Sequence, residues 1–453
     1  MSDEPDFVGL RKNLVRLADP PPVHELVRRG AARRARRRAQ IAVISAVLVV
    51  AVAVPVWFGS RTQHTAPAGP QMPSPTISSS ATTRSSDTVP SPEPTTSRAL
   101  TTVSYPAGPW ESAEVIDPQS ASSPVTFDFV DTRHAFAVRQ ACSGKQCVTA
   151  LLVTTDGRAW TTRTTPMPTD NPAEGRYPGL VLLGGQRLLL TENSVGNGGP
   201  AWFSGDAGRS WVGVPSYTSA TTAAGAPGAP LILQCQGEGV SVCSRKVAAL
   251  TPNTGRPAVL AHQPPLSPDR ANAPYYPLAD GSIWVTGTLA NGAPAASVTR
   301  DGGRTWRLVT FDEEKSLVWA TAVSGTGRVM YATVVGERPE VKNGLLAIYR
   351  STDSGDTWTK IFSADTAPPQ AVAPTPTTSL GVPIVQPDGG LDLIGEDGAA
   401  WRTFDGRTFL RISSPGFVWP YGADGGYLLS AGGRSVAVSV DGLTYTRLTI
   451  PST

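Results

Sequence analysis

The chain has 453 residues, 45 of them Gly and 42 Pro, and only 17% are charged, which excludes a single small core and argues against a helical body. Residues 1–40 hold ten Lys/Arg and five Asp/Glu, a balance of +5, so of the overall +3 the remainder carries 3 − 5 = −2. A nearly neutral, slightly acidic main body excludes nucleic-acid binding, which needs concentrated positive charge.

In chain order, the first element is a short amphipathic helix. Phe7, Leu10, Leu14 and Leu17 recur at helical spacing until Pro20, Pro21 and Pro22 stop it. It is expected to rest on an inner leaflet, its neighbouring arginines on anionic lipid.

Next comes "IAVISAVLVVAVAVPVWFG", Ile41 to Gly59, nineteen residues without a charge. At 1.5 Å per residue it reaches roughly 28 Å, enough to span a hydrocarbon core. Seven arginines lie between Arg28 and Arg38, which places the N-terminus inside and everything after Gly59 outside. Trp57 and Phe58 fall where an interfacial aromatic belt would lie. The segment reads as an uncleaved transmembrane helix and membrane anchor. The competing reading is a cleaved signal peptide, for which Ala51–Ala53 offers a small-residue site. The apolar run is longer than a signal core, and the basic region before it is long too.

From Ser60 to Arg98, 24 of 39 positions are Ser, Thr or Pro, so no core can form there. Residues 60–107 are expected to be a disordered or extended stalk. From 108 to 453 the texture changes to short runs rich in Val, Leu, Thr and aromatics, separated by Gly, Pro, Asn and Asp. These read as strands and turns without a long helix.

The four cysteines all follow the span, as the close pairs Cys142/Cys147 and Cys235/Cys243. An even count outside the membrane predicts two disulfides, each closing a short hairpin-like loop. The spacings are not C-x-x-C, and no metal or cofactor is expected.

A turn sequence recurs through the outer region. "VTRDGGRTWRLV" (298–309) is echoed by "FSGDAGRSWVGV", "RSTDSGDTWTKI", "VTTDGRAWTTR", "RTFDGRTFLRI" and "VSVDGLTYTRL". The key aspartates are Asp156, Asp206, Asp301, Asp353, Asp405 and Asp441. The gap from Asp206 to Asp301 is double the others, and Asn253 with Gly255 in "ALTPNTGRPAVL" fills it. The intervals are then 50, 47, 48, 52, 52 and 36. A period of 45–50 residues with several strands per unit predicts an all-β, seven-bladed β-propeller.

Each turn has a physical reading. The carboxylate accepts backbone N–H groups, Gly208, Gly303 and Gly355 permit positive φ, and the hydroxyl bonds back across the turn. The aromatic then starts the next strand. It stands five residues on at Trp211, Trp306 and Trp358, and four on at Trp160, Phe409 and Tyr445.

The form S/T-x-D-x-G-x-S/T-W resembles the Asp-box, or BNR repeat, of sialidases, sortilin-type receptors and photosystem II assembly propellers. "FDFVDTRHAFAV" is similar to the inner strand of that last group. The resemblance covers residues 108–453 and implies a propeller with structural, non-catalytic turns between the third and fourth strands. On a single-pass anchor of actinobacterial type, it implies an extracytoplasmic, monomeric recognition domain for a protein, peptide or wall glycan. A sialidase-type glycosidase is the alternative, which would need an arginine triad. None can be carried over, because Arg133 and Arg139 lie in strand-like text and the Arg-Pro pairs at Arg256 and Arg338 come too late. A third reading is a sensor whose short tail resembles membrane-bound anti-sigma factors.

The loops expected on the face opposite the turns are Cys142–Cys147, Asn193–Gly199, Cys235–Cys243 and Glu337–Asn343. Trp419 and Tyr421 form a candidate stacking platform. The acidic run Asp388–Asp397 reads as a solvated turn rather than a calcium loop.

Overall fold

The computed structural model describes residues 102–106 and 126–451, apart from 144–145, 168–177, 193–198, 216–217, 237–243, 270–272, 315–316, 339–340, 368–373, 417 and 431–433. The short amphipathic helix and the apolar span 41–59 lie outside these residues. Within the described residues no helix is long and apolar enough to cross a membrane.

Among the described residues every assigned element is a strand, and the strands form seven four-stranded sheets. They occupy residues 126–164, 179–214, 221–260, 267–310, 318–363, 384–412 and 419–449, here blades 1 to 7. In six of them the four strands pair in sequence order, each antiparallel to the next. The third strand of blade 4, Pro294–Thr299, is buried throughout. It carries alternate side chains to both faces, because each face of a blade packs on a neighbour rather than on water.

The core therefore lies in seven wedges between blades. Leu151 and Val153 of blade 1 pack with Leu182 and Leu190 of blade 2. Phe203 meets Ile232 and Leu250, and Leu233 meets Ile283 and Val285. Trp284 packs with Met330 and Val334, and Ile348 with Leu391 and Trp401. Ile384 and Ile394 meet Leu429 and Tyr445. The ring closes where Phe129 and Ala135 of blade 1 meet Leu428, Val436 and Leu448 of blade 7. Each buried Val, Leu, Ile, Phe or Met side chain among them stabilises by roughly 1.5–3 kcal/mol.

Blade 3 departs from the pattern. Its sheet runs Leu231–Gln236, Ser244–Leu250, Pro257–Leu260 and then Thr221–Thr222, which joins the last strand in parallel. Across its other edge Leu231 bridges Tyr275, with backbone bonds of 3.0 and 2.8 Å. The inner position is thus taken by chain that follows the blade. The segment before Leu231 contains Gly225, Pro227, Gly228 and Pro230. Proline has no amide to donate, so this stretch cannot supply a ladder strand.

Part of the predicted stalk is packed. Ser104 bridges Thr444 in parallel, and Tyr105 stacks on Tyr445 with ring centroids 5.2 Å apart.

Candidate functional site

The recurrent turns share one geometry. At Asp301, the Thr299 hydroxyl donates to Oδ1 at 2.8 Å and accepts the Gly303 N–H at 2.7 Å. Thr305 donates its N–H to Oδ1 at 3.0 Å and its hydroxyl to Oδ2 at 2.6 Å. Asp206 repeats this with Ser204, Gly208 and Ser210, and Asp353 with Ser351, Gly355 and Thr357. The Ser210 hydroxyl is the main influence holding the Asp206 carboxyl down to about 2. Burial works against Asp301, yet Thr305 and Thr299 still hold it at about 2. A carboxylate so stabilised stays ionised through the ordinary carboxylate range and is tied into its own turn.

Asp156, Asp405 and Asp441 use a shorter turn. Oδ1 accepts the N–H groups two and three residues on, at 2.8 to 3.0 Å. Here the glycine directly after the Asp donates to the upstream hydroxyl. Asn253 does neither. Its carboxamide oxygen accepts from Arg187 at 2.8 Å, and the turn closes through Gly255 N–H to Thr251 O at 2.8 Å.

The aromatics fill the wedges. The Trp211 indole N–H donates to Thr164 O of the preceding blade at 3.2 Å, and that of Trp306 to His262 O, just past the end of blade 3, at 2.9 Å. Trp358 packs edge-on against Trp284 and Phe311, and Trp160 against Phe127. Phe409 and Tyr445 are buried.

Cys147 is disulfide-bonded, and the strand register sets Cys142 opposite it. Cys235 lies in the strand Leu231–Gln236, while Cys243 and most of its loop lie outside the described residues, as does most of Asn193–Gly199. Glu337 and Asn343 sit in the paired strands Met330–Arg338 and Val341–Ser351.

A further candidate site is a cavity whose wall includes Asn343, Asp441, Trp419 and Tyr421. It has a volume of about 1420 Å³ and is lined by innermost strands of several blades, including Thr126–Asp128, Leu180, Ala320, Ala322–Gly325 and Trp419–Asp424. It therefore follows the propeller axis. The 269–282 connection of blade 4 leaves its own sheet and brings Tyr275 and Tyr276 into the wall. The Tyr276 hydroxyl donates to Asp128 Oδ2 and accepts the Leu182 N–H at 3.2 Å, so the blade 4 connection ties the neighbouring blades 1 and 2 together. Asp128 Oδ1 accepts the Phe129 N–H at 2.9 Å.

Burial pushes the Asp128 carboxyl up to about 7, reinforced by the charge of Asp424 and opposed by the Tyr276 hydrogen bond. Burial also raises Asp424, to about 6. Tyr421 is 46% exposed in the same wall, with the half-buried Trp419 two residues before it. Among the described residues lining this cavity there is no Arg, Lys or His.

The remaining candidates are engaged elsewhere. Asp392 and Arg402, both 1% exposed, face each other across adjacent strands with contacts of 2.6 and 2.7 Å. Asp388 and Asp397 cap their own turns. No group of three or more metal-ligating side chains occurs among the described residues. Arg133 and Arg256 are exposed and outside the cavity wall, as are the half-buried Arg139 and Arg338.

No family model matches the chain, and no curated protein matches it. Several solved structures are similar. One is YCF48 bound to D1 peptide, at 16% identity and a TM-score of 0.31, covering 76% of this chain and 86% of that one. A protein of unknown function from Dyadobacter fermentans shows 15% identity and a TM-score of 0.33, covering 72% and 93%. A puromycin-hydrolysing peptidase of Mycobacterium tuberculosis shows 13% identity and a TM-score of 0.40, covering 77% and 56%. At these values the likeness carries no argument about activity, and the fold stands on the seven sheets themselves.

Proposed function

We propose that this chain is a membrane-anchored, extracytoplasmic recognition propeller that binds a protein or peptide in its axial cavity without catalysis. The observation that carries the reading is the cavity itself, walled by aromatic and small side chains with polar groups converging on it. The span 41–59 would hold the propeller at the membrane, and the Ser/Thr/Pro stalk would set it at a distance. The Cys142–Cys147 and Cys235–Cys243 pairs would pin two turns of the opposite face, as suits an oxidising compartment. The recurrent Asp turns are read as Asp-boxes in a structural role.

The test uses the full-length chain in detergent, immobilised and offered peptide and glycan arrays. Gly422 lies exposed in the cavity wall, and a Cβ added there meets nothing within 4 Å. Gly422→Trp should therefore obstruct the cavity without disturbing the fold and abolish peptide capture. Capture that survives this substitution would move the binding surface elsewhere.

A glycosidase is the second reading, because Asp128 and Asp424 put two carboxyls in one cavity, and burial raises Asp128 above Asp424, so that Asp128 would be the acid and Asp424 the base. The sialidase form of it has no arginine in the wall to grip a substrate carboxylate. Turnover of any fluorogenic glycoside, abolished by Asp424→Asn, would replace binding with hydrolysis.

A further inference from the structure

We propose that the axial cavity holds a peptide by strand addition: a short extended segment pairs its main chain with Gly422 on the axis-facing edge of blade 7, beside Tyr421. This rests on the recognition reading above and names how the peptide is gripped.

The first strand of blade 7, Trp419–Ala423, is paired along one edge with Gly426–Ser430. Ala423 and Gly426 close a two-residue turn, so Ala423 and Tyr421 direct their N–H and C=O groups to that second strand. Backbone direction alternates along a strand, so Pro420 and Gly422 direct theirs to the opposite edge, toward the axis. The Pro420 carbonyl follows this pattern, accepting the Val382 N–H of the chain entering blade 6 at 3.1 Å. Proline has no N–H to leave bare. Gly422 turns both a donor and an acceptor to the axis, and among the described residues neither has a partner.

The protein caps the axis-facing edges of three other blades itself. The Tyr276 hydroxyl accepts the Leu182 N–H of blade 2 at 3.2 Å, and the Tyr427 hydroxyl accepts the Val385 N–H of blade 6 at 3.1 Å. In blade 3, Leu231 exchanges both backbone bonds with Tyr275. No side chain or neighbouring segment does the same for Gly422. It lies exposed in the cavity wall, and a Cβ added there meets nothing within 4 Å, so another chain can approach it closely. An open strand edge is a template for an extended chain.

The occupant follows from the geometry of the two free groups. An extended peptide presents an N–H and a C=O on the same side of one Cα, from two successive amides, and exchanges both bonds with Gly422. The acetamide of an amino sugar is a single trans amide, whose N–H and C=O point in opposite directions, so it satisfies only one of the two. The peptide residue opposite Gly422 meets no side chain, which leaves room for a large one. Its neighbours fall on the face that carries Tyr421, whose ring is 46% exposed in the wall, so an apolar neighbour packs there. The free edge is short. The Pro420 carbonyl is already taken, and beyond the turn the Gly425 N–H is bonded to Phe129 O at 2.9 Å. Pairing is therefore confined to Tyr421–Ala423, and the segment recognised is short.

The experiment is fluorescence polarisation on the full-length chain in detergent. The probes are the capped peptide Thr-Val-Tyr-Val-Thr and three versions of it, each N-methylated on the backbone at one of the central residues. N–H groups alternate sides along a strand, so methylation should weaken binding about tenfold or more at one residue and much less at its neighbours. Gly422→Pro removes the protein's donor on an edge that already holds Pro420, and it should weaken the parent peptide by a similar factor. Gly422→Ala keeps the donor and should lose less. Unchanged melting would establish that these variants remain folded, and the methylation series tests the pairing on the unaltered chain.

Equal loss at all three methylated positions, or at none, overturns strand addition, as does undiminished binding to Gly422→Pro with unchanged melting. An N-acetylglucosamine trimer bound in preference to the parent peptide overturns it as well, and so does the absence of saturable peptide binding up to about 1 mM. In each of these cases the recognition reading stands if an arrayed ligand is lost on Gly422→Trp. If none is lost, the two fall together.

Discussion

At the scale of single residues, the carboxyls divide into two groups with opposite linkage to pH. Asp206 and Asp301 are held down to about 2 by their turns, so they stabilise the fold above the ordinary carboxylate range and lose that contribution as pH falls below about 4. Asp128 is raised to about 7, so its contribution is fully present below about 4 and is lost as pH rises through 7. Denaturant unfolding of the full-length chain between about pH 5 and 8 should show stability falling with rising pH, at up to about 1.4 kcal/mol per pH unit from this one group. Asp128→Asn should flatten that slope, and an unchanged slope would remove Asp128 as its source. The turn glycines answer to sterics instead. Gly303 has φ +95, and a Cβ there would sit 2.4 Å from Leu260 Cδ1 of blade 3. Gly303→Ala should cost about 2 kcal/mol or more in the same measurement, since it combines backbone strain with a clash in a packed wedge.

At the scale of elements, the blade 6 ion pair and the blade 4 connection depend on complete pairing. Removing one member of the Asp392–Arg402 pair strands a buried charge, so Arg402→Met should cost about 3–5 kcal/mol. Adding Asp392→Leu should recover much of that loss in a double-mutant cycle, whereas additive losses would show that the two side chains act independently. Tyr276→Phe should destabilise by about 1–3 kcal/mol, because it leaves the Asp128 carboxyl and the Leu182 N–H without their shared partner. These elements also mark how far the sequence could be read. Blade number and order were legible because one turn chemistry recurs at a steady interval, and even Asn253 stood where a turn was due. The strand exchange in blade 3 was not. Pro227, Gly228 and Pro230 state that no ladder strand forms there, but nothing local says that Tyr275 fills the edge. The axial acids were hidden for a related reason. Asp128 alternates with Phe127 and Phe129, and that pattern reads as a strand with a wet face. In an inner strand of a closed ring, the polar face turns toward the axis and the next blade, where water is scarce.

At the scale of the whole molecule, the question is what closes the ring. Among the described residues blades 7 and 1 each build their sheet from consecutive strands, and the segment before blade 1 joins blade 7 only through the Ser104–Thr444 bridge. Closure rests on the seam around Phe129, Leu428 and Leu448, and on the bond from Gly425 N–H to Phe129 O at 2.9 Å. The segment 102–106 adds the Tyr105–Tyr445 stack at the adjoining wedge. The other seams have further latches. Arg307 of blade 4 donates to the Gly355 and Asp356 carbonyls of the blade 5 turn, at 2.7 and 3.1 Å. A linear stack of repeats can fray from its ends. A closed ring has no ends, so opening one seam exposes two apolar faces and leaves blades 1 and 7 each packed on one side only. The seam between them should therefore set the stability of the whole propeller. Phe129 is fully buried there, and Phe129→Ala should cost about 3–5 kcal/mol. Calorimetry on the full-length chain should show that loss as one transition moved to lower temperature, with calorimetric and van't Hoff enthalpies still in agreement. A separate early transition confined to blades 1 and 7 would mean that the remaining blades hold together as an open arc, and that closure contributes little to them.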